Sequence, residues 1–317
     1  MASNIRLVIT TGDTDGIGWE ITNKALNAIG PKAGVQFIFF KSPSGQKPPF
    51  TKKFKHKLVT TLQDAAAQPF DDRTAIEVRS SLSPAHWVEE AARLCFKGRF
   101  NGLVTAPLSK TSIIDSGLND IGHTEILSRV TGCKHLFMGF IGQRFNVVLA
   151  TGHKPLRDAI DLFSLDVLAR ATDAANELRS VLPKRRMALP IAIVGLNPHA
   201  GEDGLIGDDE NFIKSWIEGR QLGPSVDGPL VPDSAFLPQN WKRYSVYVCP
   251  YHDQGLIPFK MVHGFRSGVH LTLGLPFVRT SVDHGTAKEL FGKNKAEFGS
   301  MKDALTTAIR LCKEKRQ

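Results

Sequence analysis

The sequence predicts an α/β protein in which helices cover both faces of a largely parallel sheet. Short apolar runs with strand character alternate along the chain with helical patterns, and this alternation is typical of βαβ units. At 317 residues the chain is longer than one typical core, so we expect two domains or one elaborate one. The clearest strand-like runs are IRLVIT (5–10), VQFIFF (35–40), NGLVTA (101–106), FNVVLA (145–150), IAIVGL (191–196) and YSVYVC (244–249).

Two helices carry clear end signals. A helix over 165–182 is predicted because Ser164 is a good N-cap and apolar residues recur along one face. A helix over 84–97 is predicted by a proline in its first turn and by Gly98 after its end. The segment 42–57, which is rich in proline and lysine, is predicted to be a loop.

The composition is that of an ordinary globular protein. A hydrophobic fraction of 42% with 22% charged residues is compatible with a packed core. No apolar run approaches the roughly 20 residues that span a bilayer, and the N-terminal apolar stretch is too short for a signal peptide. We therefore expect no membrane contact and a cytoplasmic location. The four cysteines form no CxxC motif, so neither a disulfide framework nor a thiolate zinc site is indicated.

The net charge of +9 raises the question of a nucleic-acid partner. Much of the excess lies in the segments 41–57, 184–186 and 313–317, which lack aromatic interleaving and match no nucleic-acid motif. We therefore expect no nucleic acid as a partner. A positive field that attracts an anionic small-molecule substrate is the favoured interpretation.

A histidine stands shortly after each of three strand-like runs. His153, His199 and His252 follow the runs that end at residues 150, 196 and 249, and Asp253 comes directly after the last histidine. In an open α/β sheet, the loops at the carboxyl ends of the strands converge on one crevice. Three imidazoles there suit a catalytic metal ion with open positions for water or substrate. The alternative is that each histidine caps a helix or packs.

The glycine-rich segment 10–20 follows the first strand and precedes a helical stretch. It lacks both the GxGxxG spacing of a dinucleotide fingerprint and the GK[ST] of a P-loop. A tight strand-to-helix turn that needs positive φ explains its glycines equally well. The segment alone therefore predicts no nucleotide site.

Four further residues are candidates for binding an anion. His123 and Thr124 stand at the start of a predicted helix, where N–H donors and the helix dipole favour negative charge, although a simple cap is the alternative. Lys260 and Arg279 lie near His252 and near a glycine-rich turn, so either could neutralise a substrate phosphate or carboxylate. Ordinary surface charge is the alternative for these two.

Several motifs follow one another in a recognisable order. They are VTAPLSK (104–110), GHTEIL (122–127), HKPLRDA (153–159), GLNPHAGEDGLIGDDE (195–210), VDGPLVPDSAF (226–236), YHDQGLIPFK (251–260) and GLPFVRTSVDHGTA (274–287). Together they resemble the 4-hydroxythreonine-4-phosphate dehydrogenase family of pyridoxal-phosphate biosynthesis, nearly from end to end. The resemblance is weakest in the first hundred residues, where TTGDTDGIG replaces the family's usual TPGEPAGIG.

This resemblance implies a two-domain fold similar to the isocitrate and isopropylmalate dehydrogenases, with the active site in the cleft between the domains. It implies that His153, His199 and His252 bind one divalent metal ion, which could be Zn, Mg, Co or Mn. The substrate contacts that it implies are His123, Thr124, Lys260 and Arg279.

The resemblance also implies a cofactor and a partner. NAD or NADP would bind, without a Rossmann glycine motif, at a loop that comprises Asp283, His284, Gly285, Thr286 and Ala287. The family forms homodimers in which each active site takes residues from both subunits.

Two departures from the family bear on the substrate. The family's usual asparagine in GVNxTLG is His270 here, and the stretch between Lys260 and this position is one residue longer. Both lie in the substrate-contacting segment, so we expect His270 to tune the choice of substrate. The alternative is that the extra residue turns His270 out of the site.

The sequence therefore predicts a metal-dependent NAD(P) oxidoreductase of a phosphorylated hydroxy acid. The first choice of substrate is 4-hydroxythreonine 4-phosphate, with decarboxylation of the β-keto acid product, and the alternative is threonate or erythronate 4-phosphate. Asp253, Asp227 and Asp233 are candidates for orienting the histidines or for transferring protons. The alternatives from other classes are a phosphate acyltransferase and a non-catalytic basic binding protein.

No flexible linker marks a domain boundary in the sequence. We place residues 1–118 and 294–317, which include a predicted C-terminal helix over 302–314, in a first α/β domain. Residues 119–293 form the second domain, which we expect to carry the metal ligands and the dimer interface.

Overall fold

The computed structural model describes residues 4–43, 48–264 and 267–315. The chain divides into two compact units, Met1–Leu136 with Phe265–Gln317, and Phe137–Gly264. The predicted basic segments 41–57 and 313–317, and the longer stretch between Lys260 and His270, lie in part outside the described residues.

The strands are numbered along the chain. They are β1 (Ile5–Thr10), β2 (Val35–Phe40), β3 (Lys55–Val59), β4 (Thr74–Val78), β5 (Gly102–Thr105), β6 (Phe137–Ile141), β7 (Asn146–Leu149), β8 (Ile191–Val194), β9 (Val226–Leu230), β10 (Val246–Cys249), β11 (Val269–Leu273) and β12 (Val278–Ser281).

The helices are numbered in the same way, and within the described residues none is long and apolar enough to cross a membrane. They are α1 (Gly18–Ile29), α2 (Leu62–Ala67), α3 (Pro84–Phe96), α4 (Lys110–Asp115), α5 (His123–Thr131), α6 (Leu156–Leu162), α7 (Leu165–Ser180), α8 (Lys184–Met187), α9 (Glu210–Glu218), α10 (Pro232–Ala235), α11 (His252–His263) and α12 (Gly299–Glu314).

In the first unit the strand order is β3-β4-β2-β1-β5-β12-β11, and neighbouring strands are parallel except for β11 and β12. β1 and β2 are buried almost throughout, as expected of strands that are covered on both faces. Trp87 of α3 stacks on Phe40 at the end of β2, with ring centroids 5.5 Å apart. The glycine-rich segment 10–20 therefore follows a strand that is fixed inside this sheet.

In the second unit the strand order is β6-β7-β10-β8-β9, and only β6 and β7 are antiparallel. Phe145 lies at the centre of its core, with its ring 5.9 Å from that of Phe259 and 5.8 Å from that of Tyr247. Both α7 and α11 pack on β7 and β10. Because β7, β10 and β8 are adjacent and parallel, the segments that follow them all leave the sheet at the carboxyl ends of the strands.

The predicted α/β class is confirmed, and the strongest patterns also have the predicted bounds. β1 and β2 begin and end as predicted. The hydroxyl of Ser164 caps α7 by accepting from the backbone N–H of Val167 at 3.5 Å, but the helix ends at Ser180, before the predicted end at 182. The prediction of a loop over 42–57 is wrong at its end, because β3 begins at Lys55 and pairs with β4.

The two units differ from the predicted domains. Residues 119–136 and 265–293, which were predicted to lie in the second domain, belong to the first unit. The physical reason is packing, since α5 lies against α3 and β12 pairs in parallel with β5.

Candidate active site

Two of the three candidate histidines lie side by side in the second unit. His153 follows β7 and His252 follows β10, and the neighbouring segments are joined because the buried hydroxyl of Thr151 donates to the carbonyl of Pro250 at 2.7 Å. The ring centroids of His153 and His252 are 5.1 Å apart. The prediction that strand ends bring these imidazoles together is therefore realised for this pair.

Asp253 orients one imidazole of the pair. Its Oδ1 lies 2.8 Å from Nδ1 of His252, and because an ionised carboxylate only accepts, Nδ1 carries the hydrogen. In the neutral ring this leaves Nε2 of His252 as the acceptor nitrogen, and that tautomer can bind a metal ion through Nε2. Such a carboxylate–histidine contact fixes the tautomer and the ring direction of a metal ligand.

His199 lies on an unusual turn after β8. The run His199, Ala200, Gly201, Glu202 and Asp203 has positive φ throughout, with φ of 53° at His199. Left-handed backbone costs an ordinary L-residue roughly 1–2 kcal/mol, so the four non-glycine residues of this run must be held by their surroundings. The Nδ1 of His199 lies 3.5 Å from Oε2 of Glu202, and both side chains are largely exposed.

Within one chain the predicted metal set is incomplete. Among the described residues, no three His, Cys, Asp or Glu side chains form a group that could hold a metal ion. His199 is therefore not brought to His153 and His252 as the third ligand by this chain alone. The two imidazoles that do meet are suitable donors for a transition metal.

The other two candidate acids lie apart from the histidine pair. Asp227 pairs in register with Ala192 near the amino end of β8 and accepts from the hydroxyl of Tyr244 at 2.8 Å. It therefore lies towards the amino ends of the strands, whereas the histidines follow the carboxyl ends. Asp233 is exposed in α10, which packs near the turn that carries His199.

A buried cation lies in the first unit. Arg279 on β12 is 1% exposed, and its guanidinium donates to the hydroxyls of Thr105 at 2.6 Å and Thr272 at 2.9 Å. His270 is buried beside it, with Nδ1 3.3 Å from Nη1 of Arg279. Burial lowers the pKa of Arg279 to about 9, so the group is still a cation at neutral pH. No carboxylate among the described residues forms an ion pair with it.

His123 begins α5 and belongs to the same cluster. Burial, followed by the positive charge of Arg279, holds its pKa well below the ordinary value, so its imidazole is neutral at neutral pH. Its Nε2 is buried without a hydrogen-bond partner among the described residues, as is the Nε of Arg279. Buried polar atoms normally have partners, so these two are candidates for contacting an anionic ligand.

The two remaining substrate candidates, Thr124 and Lys260, belong to different units. Thr124 is half-buried next to His123 in the first turn of α5. Lys260 is exposed on α11 and belongs to the second unit. Their roles stay predictions.

The candidate cofactor loop is fixed against the glycine-rich segment of the first unit. The backbone N–H of Ile17 donates to the carbonyl of Thr286 at 3.0 Å, and Asp283 accepts from the hydroxyl of Ser300 at 3.1 Å. Ala287 has a φ of 41°, and His284 and Gly285 lie between these contacts. A Cβ at Gly12 would lie 1.9 Å from the carbonyl oxygen of Pro107, which explains why glycine is needed there.

Polar contacts hold the segment 288–296 that follows this loop, and the sequence did not single out these residues. Lys288 pairs with Asp15 at 2.8 Å. Further on, Oε1 of the buried Glu20 accepts from the N–H of Ala296 at 2.7 Å and from Lys24 at 2.7 Å. The ammonium group of Lys24 also donates to the carbonyls of Asn294 and Ala296, each at 3.1 Å. The spacing of Glu20 and Lys24 on one helix face was the only signal that the sequence offered.

The fold defines the class of protein first. The chain has the fold of the isocitrate dehydrogenases, since a solved isocitrate dehydrogenase from Methylococcus capsulatus superposes with a TM-score of 0.53 at 13% identity, covering 98% of this chain and 89% of that one. The crystal structure of 4-hydroxythreonine-4-phosphate dehydrogenase from Klebsiella pneumoniae superposes with a TM-score of 0.77 at 29% identity, covering 98% of each chain.

The family is then settled by sequence. The model of the family "Pyridoxal phosphate biosynthetic protein PdxA" matches residues 22–308. The 4-hydroxythreonine-4-phosphate dehydrogenase of Sulfurihydrogenibium sp. is 34% identical over 327 aligned residues, covering 97% of this chain and 98% of that protein. This chain therefore belongs to the PdxA family.

Proposed function

We propose that this chain oxidises 4-hydroxythreonine 4-phosphate with NAD or NADP and a divalent metal ion, and that the β-keto acid product then loses its carboxyl group as CO₂. The observation that carries the proposal is the family match over residues 22–308. The arrangement of the two groups of site residues supports it, since one group suits a metal ion and the other suits an anion.

The metal ion would bind at the histidines. His153 and His252 supply two imidazoles 5.1 Å apart, and Asp253 holds the second in the metal-binding tautomer. Imidazole donors favour Zn or Co over Mg. Bound there, the ion would act as a Lewis acid on the substrate hydroxyl and lower its pKa. We propose His199 as the third ligand, supplied by the second subunit of a homodimer.

The anionic end of the substrate would bind at Arg279. The guanidinium is a buried cation with neutral hydrogen-bond partners, and His123 presents an unpartnered Nε2 in the same cluster. A phosphate or carboxylate that enters the cluster would gain charge-assisted hydrogen bonds. Thr124, His270 and Lys260 are proposed as further contacts.

The dinucleotide, which accepts the hydride when bound, would lie against the loop from Asp283 to Ala287. The contacts of this loop with Ile17 and Ser300 support its role, because they hold backbone groups in place before the cofactor arrives. Either NAD or NADP is compatible with the loop.

Proton transfer would fall to Asp253 or Asp233. Asp253 touches His252 and is the better placed of the two for orientation, while Asp233 is exposed near the His199 turn. The bond of Asp227 to Tyr244, near the amino ends of the strands, disfavours a role for Asp227 at the histidines.

We also propose a homodimer. Several large apolar side chains of the second unit are exposed, as expected of a surface that a protein partner covers. Leu205 and Ile206, exposed by 84% and 45%, come directly after the His199 turn, which is what insertion of this turn into a second subunit would require. Others are Leu156, Ile160, Leu162, Leu165, Leu222, Leu237, Ile257, Met261 and Val262. The four free cysteines suit the reducing cytoplasm that we propose as the location.

The direct test is a spectrophotometric assay of the purified protein. We expect NADH or NADPH to form from 4-hydroxythreonine 4-phosphate at saturating metal, and His153→Ala, His199→Ala and His252→Ala to lose both turnover and metal binding while the fold remains. Threonate and erythronate 4-phosphate are assayed beside it as the alternative substrates. If no phosphorylated hydroxy acid is oxidised, and acyl transfer to phosphate proceeds without metal, the proposal is overturned in favour of an acyltransferase.

The anion site has its own test. Arg279→Ala should raise KM for the phosphorylated substrate, because a charge-assisted contact of about 1.5–3 kcal/mol is lost. Arg279→Lys should recover only part of it, since a lysine cannot reproduce the planar fork that reaches Thr105 and Thr272. An unchanged KM in both folded variants would place the anion elsewhere.

A further inference from the structure

A buried carboxylate lies behind the turn that carries His199. Glu210, the first residue of α9, is 2% exposed. Its Oε1 accepts from the backbone N–H groups of Leu196 at 2.7 Å and Asn197 at 2.6 Å, and its Oε2 accepts from Nδ2 of Asn197 at 3.0 Å. These donors belong to the two residues that precede Pro198 and His199. The carboxylate thus fixes the point at which the left-handed run begins.

Other contacts make the same segment rigid. The carbonyl of Gly195 accepts from the side-chain amide of Gln254 at 2.7 Å, and Gln254 stands two residues after His252. Asn197 also donates to Asp209 at 2.8 Å. The backbone N–H groups of Leu196 and Asn197 and the carbonyl of Gly195 are therefore all hydrogen-bonded just before the turn.

The turn itself is shaped to fit the carboxylate. A Cβ at Gly201 would lie 2.6 Å from Oε2 of Glu210 and 2.5 Å from the carbonyl oxygen of Gly207. Only a glycine at this place lets the turn pass so close to the buried acid. Left-handed backbone at four non-glycine residues is unfavourable on its own, so the run persists only where its surroundings fix it.

We infer that Glu210 is a positioning residue that holds His199 in place for metal binding. This inference rests on the proposed function, because it takes His199 to be a metal ligand. We propose no contact of the buried Glu210 with the metal ion or the substrate. It acts through the backbone of Leu196 and Asn197, which it fixes before the turn. Loss of such a supporting group typically costs 10–100-fold in metal affinity.

The test uses Glu210→Gln in the full-length protein. An amide places a donor where the carboxylate accepts, so we expect the amides of residues 195–201 to lose hydrogen-exchange protection. We also expect the dissociation constant for Co²⁺, titrated into metal-free protein and followed by its visible absorption, to rise about 10-fold or more. Glu218→Gln is the matched control, because it makes the same charge change at the exposed end of α9.

A second pair of variants covers the case in which Glu210→Gln fails to fold. Gly201→Ala pushes a methyl group against Glu210, whereas Gly204→Ala adds the same methyl group at another positive-φ glycine with nothing within 4 Å. We expect Gly201→Ala to weaken Co²⁺ binding and Gly204→Ala to leave it close to that of the unaltered protein.

Three outcomes would overturn the inference, and they are distinguishable. Unchanged exchange at residues 195–201 in Glu210→Gln would show that the carboxylate does not hold the turn. Lost protection with unchanged Co²⁺ affinity would show that metal binding does not depend on the contact between Glu210 and the turn. Unchanged Co²⁺ affinity in His199→Ala would remove His199 from the metal site, and would count against the proposed function itself.

Discussion

At the scale of single residues, His270 stands where the resemblance described above leads us to expect an asparagine. Its side chain is buried beside Arg279 and is not turned out to solvent, in spite of the longer stretch that precedes it. An imidazole that accepts from a guanidinium at Nδ1 cannot accept there from a substrate ammonium group, whereas an asparagine amide both donates and accepts.

We therefore expect His270→Asn to change substrate preference. The ratio of kcat/KM between 4-hydroxythreonine 4-phosphate and threonate 4-phosphate should move by several-fold, because the two substrates differ in the group that an amide could recognise. Both substrates are measured on both proteins. An unaltered ratio would show that the histidine contributes only to packing around Arg279.

His263 is a second buried histidine, and its ionisation affects the stability of the fold. Its Nδ1–H donates to the carbonyl of Phe259 at 2.9 Å, and its Nε2 accepts from the backbone N–H of Arg144 at 3.1 Å, so the ring is neutral. Burial lowers its pKa from 6.5; the carbonyl of Phe259 opposes this shift and the charge of Arg144 adds to it. The folded protein then binds fewer protons than the unfolded chain just below pH 6.5, and stability is lost as the pH falls through that range.

The expected result is a melting temperature that declines from pH 7 to pH 5 more steeply for the unaltered protein than for His263→Gln. A glutamine can donate to Phe259 and accept from Arg144 without titrating. Thermal melts of both proteins across this range check it, and parallel curves would show that His263 does not couple folding to pH.

At the scale of elements, the contact of α1 with the segment 288–296, which follows the cofactor loop, is the most informative. Glu20 and Lys24 bind the backbone at Asn294 and Ala296, far along the chain from α1. Asn294 has a φ of 55°, so the backbone of the segment 288–296 needs support from its surroundings. A largely buried helix thus holds a segment that has little regular structure of its own.

Lys24→Met should loosen the loop and raise KM for the dinucleotide about 10-fold, since charge-assisted hydrogen bonds to two carbonyls are lost. KM for the phosphorylated substrate should stay the same. Arg310→Met is the matched control, because it breaks an exposed i,i+4 pair with Glu314 on α12 of the same unit. Equal KM values for the dinucleotide in the two variants would contradict a role for the α1 contact.

The elements also show what could be predicted from the sequence. β1 and β2 were predicted with their observed bounds because unbroken apolar runs are typical of strands that are buried on both faces. β3 was missed because its side chains are mostly exposed and carry lysines, so no pattern of burial marked it. The strand-end rule correctly placed His153 beside His252. It could not reveal the left-handed turn at His199, because that turn depends on Glu210 from a later helix.

At the scale of the whole molecule, the second unit by itself does not complete the proposed metal site. His153 and His252 meet within one chain, and no third ligand joins them among the described residues. A symmetric dimer in which each subunit gives His199 to the other would complete two identical sites.

Mixing two inactive variants tests this arrangement. If His199→Ala and His252→Ala subunits are unfolded together and reassembled, each hybrid dimer should contain one intact site. We expect activity to return to about a quarter of that of the unaltered protein, because half of the dimers are hybrids and each has one working site. Activity that stays at zero, with hybrids demonstrated by mass spectrometry, would mean that all three ligands come from one chain.

The left-handed run at His199 has a consequence outside the protein. Its five residues follow the mirror image of an ordinary helical turn, which L-residues resist and D-residues adopt without steric cost. A short synthetic peptide with D-amino acids at 199, 200, 202 and 203 would therefore adopt this backbone path at a lower steric cost than the L-peptide. Such a mirror-image turn is a scaffold for small synthetic metal ligands that carry an imidazole.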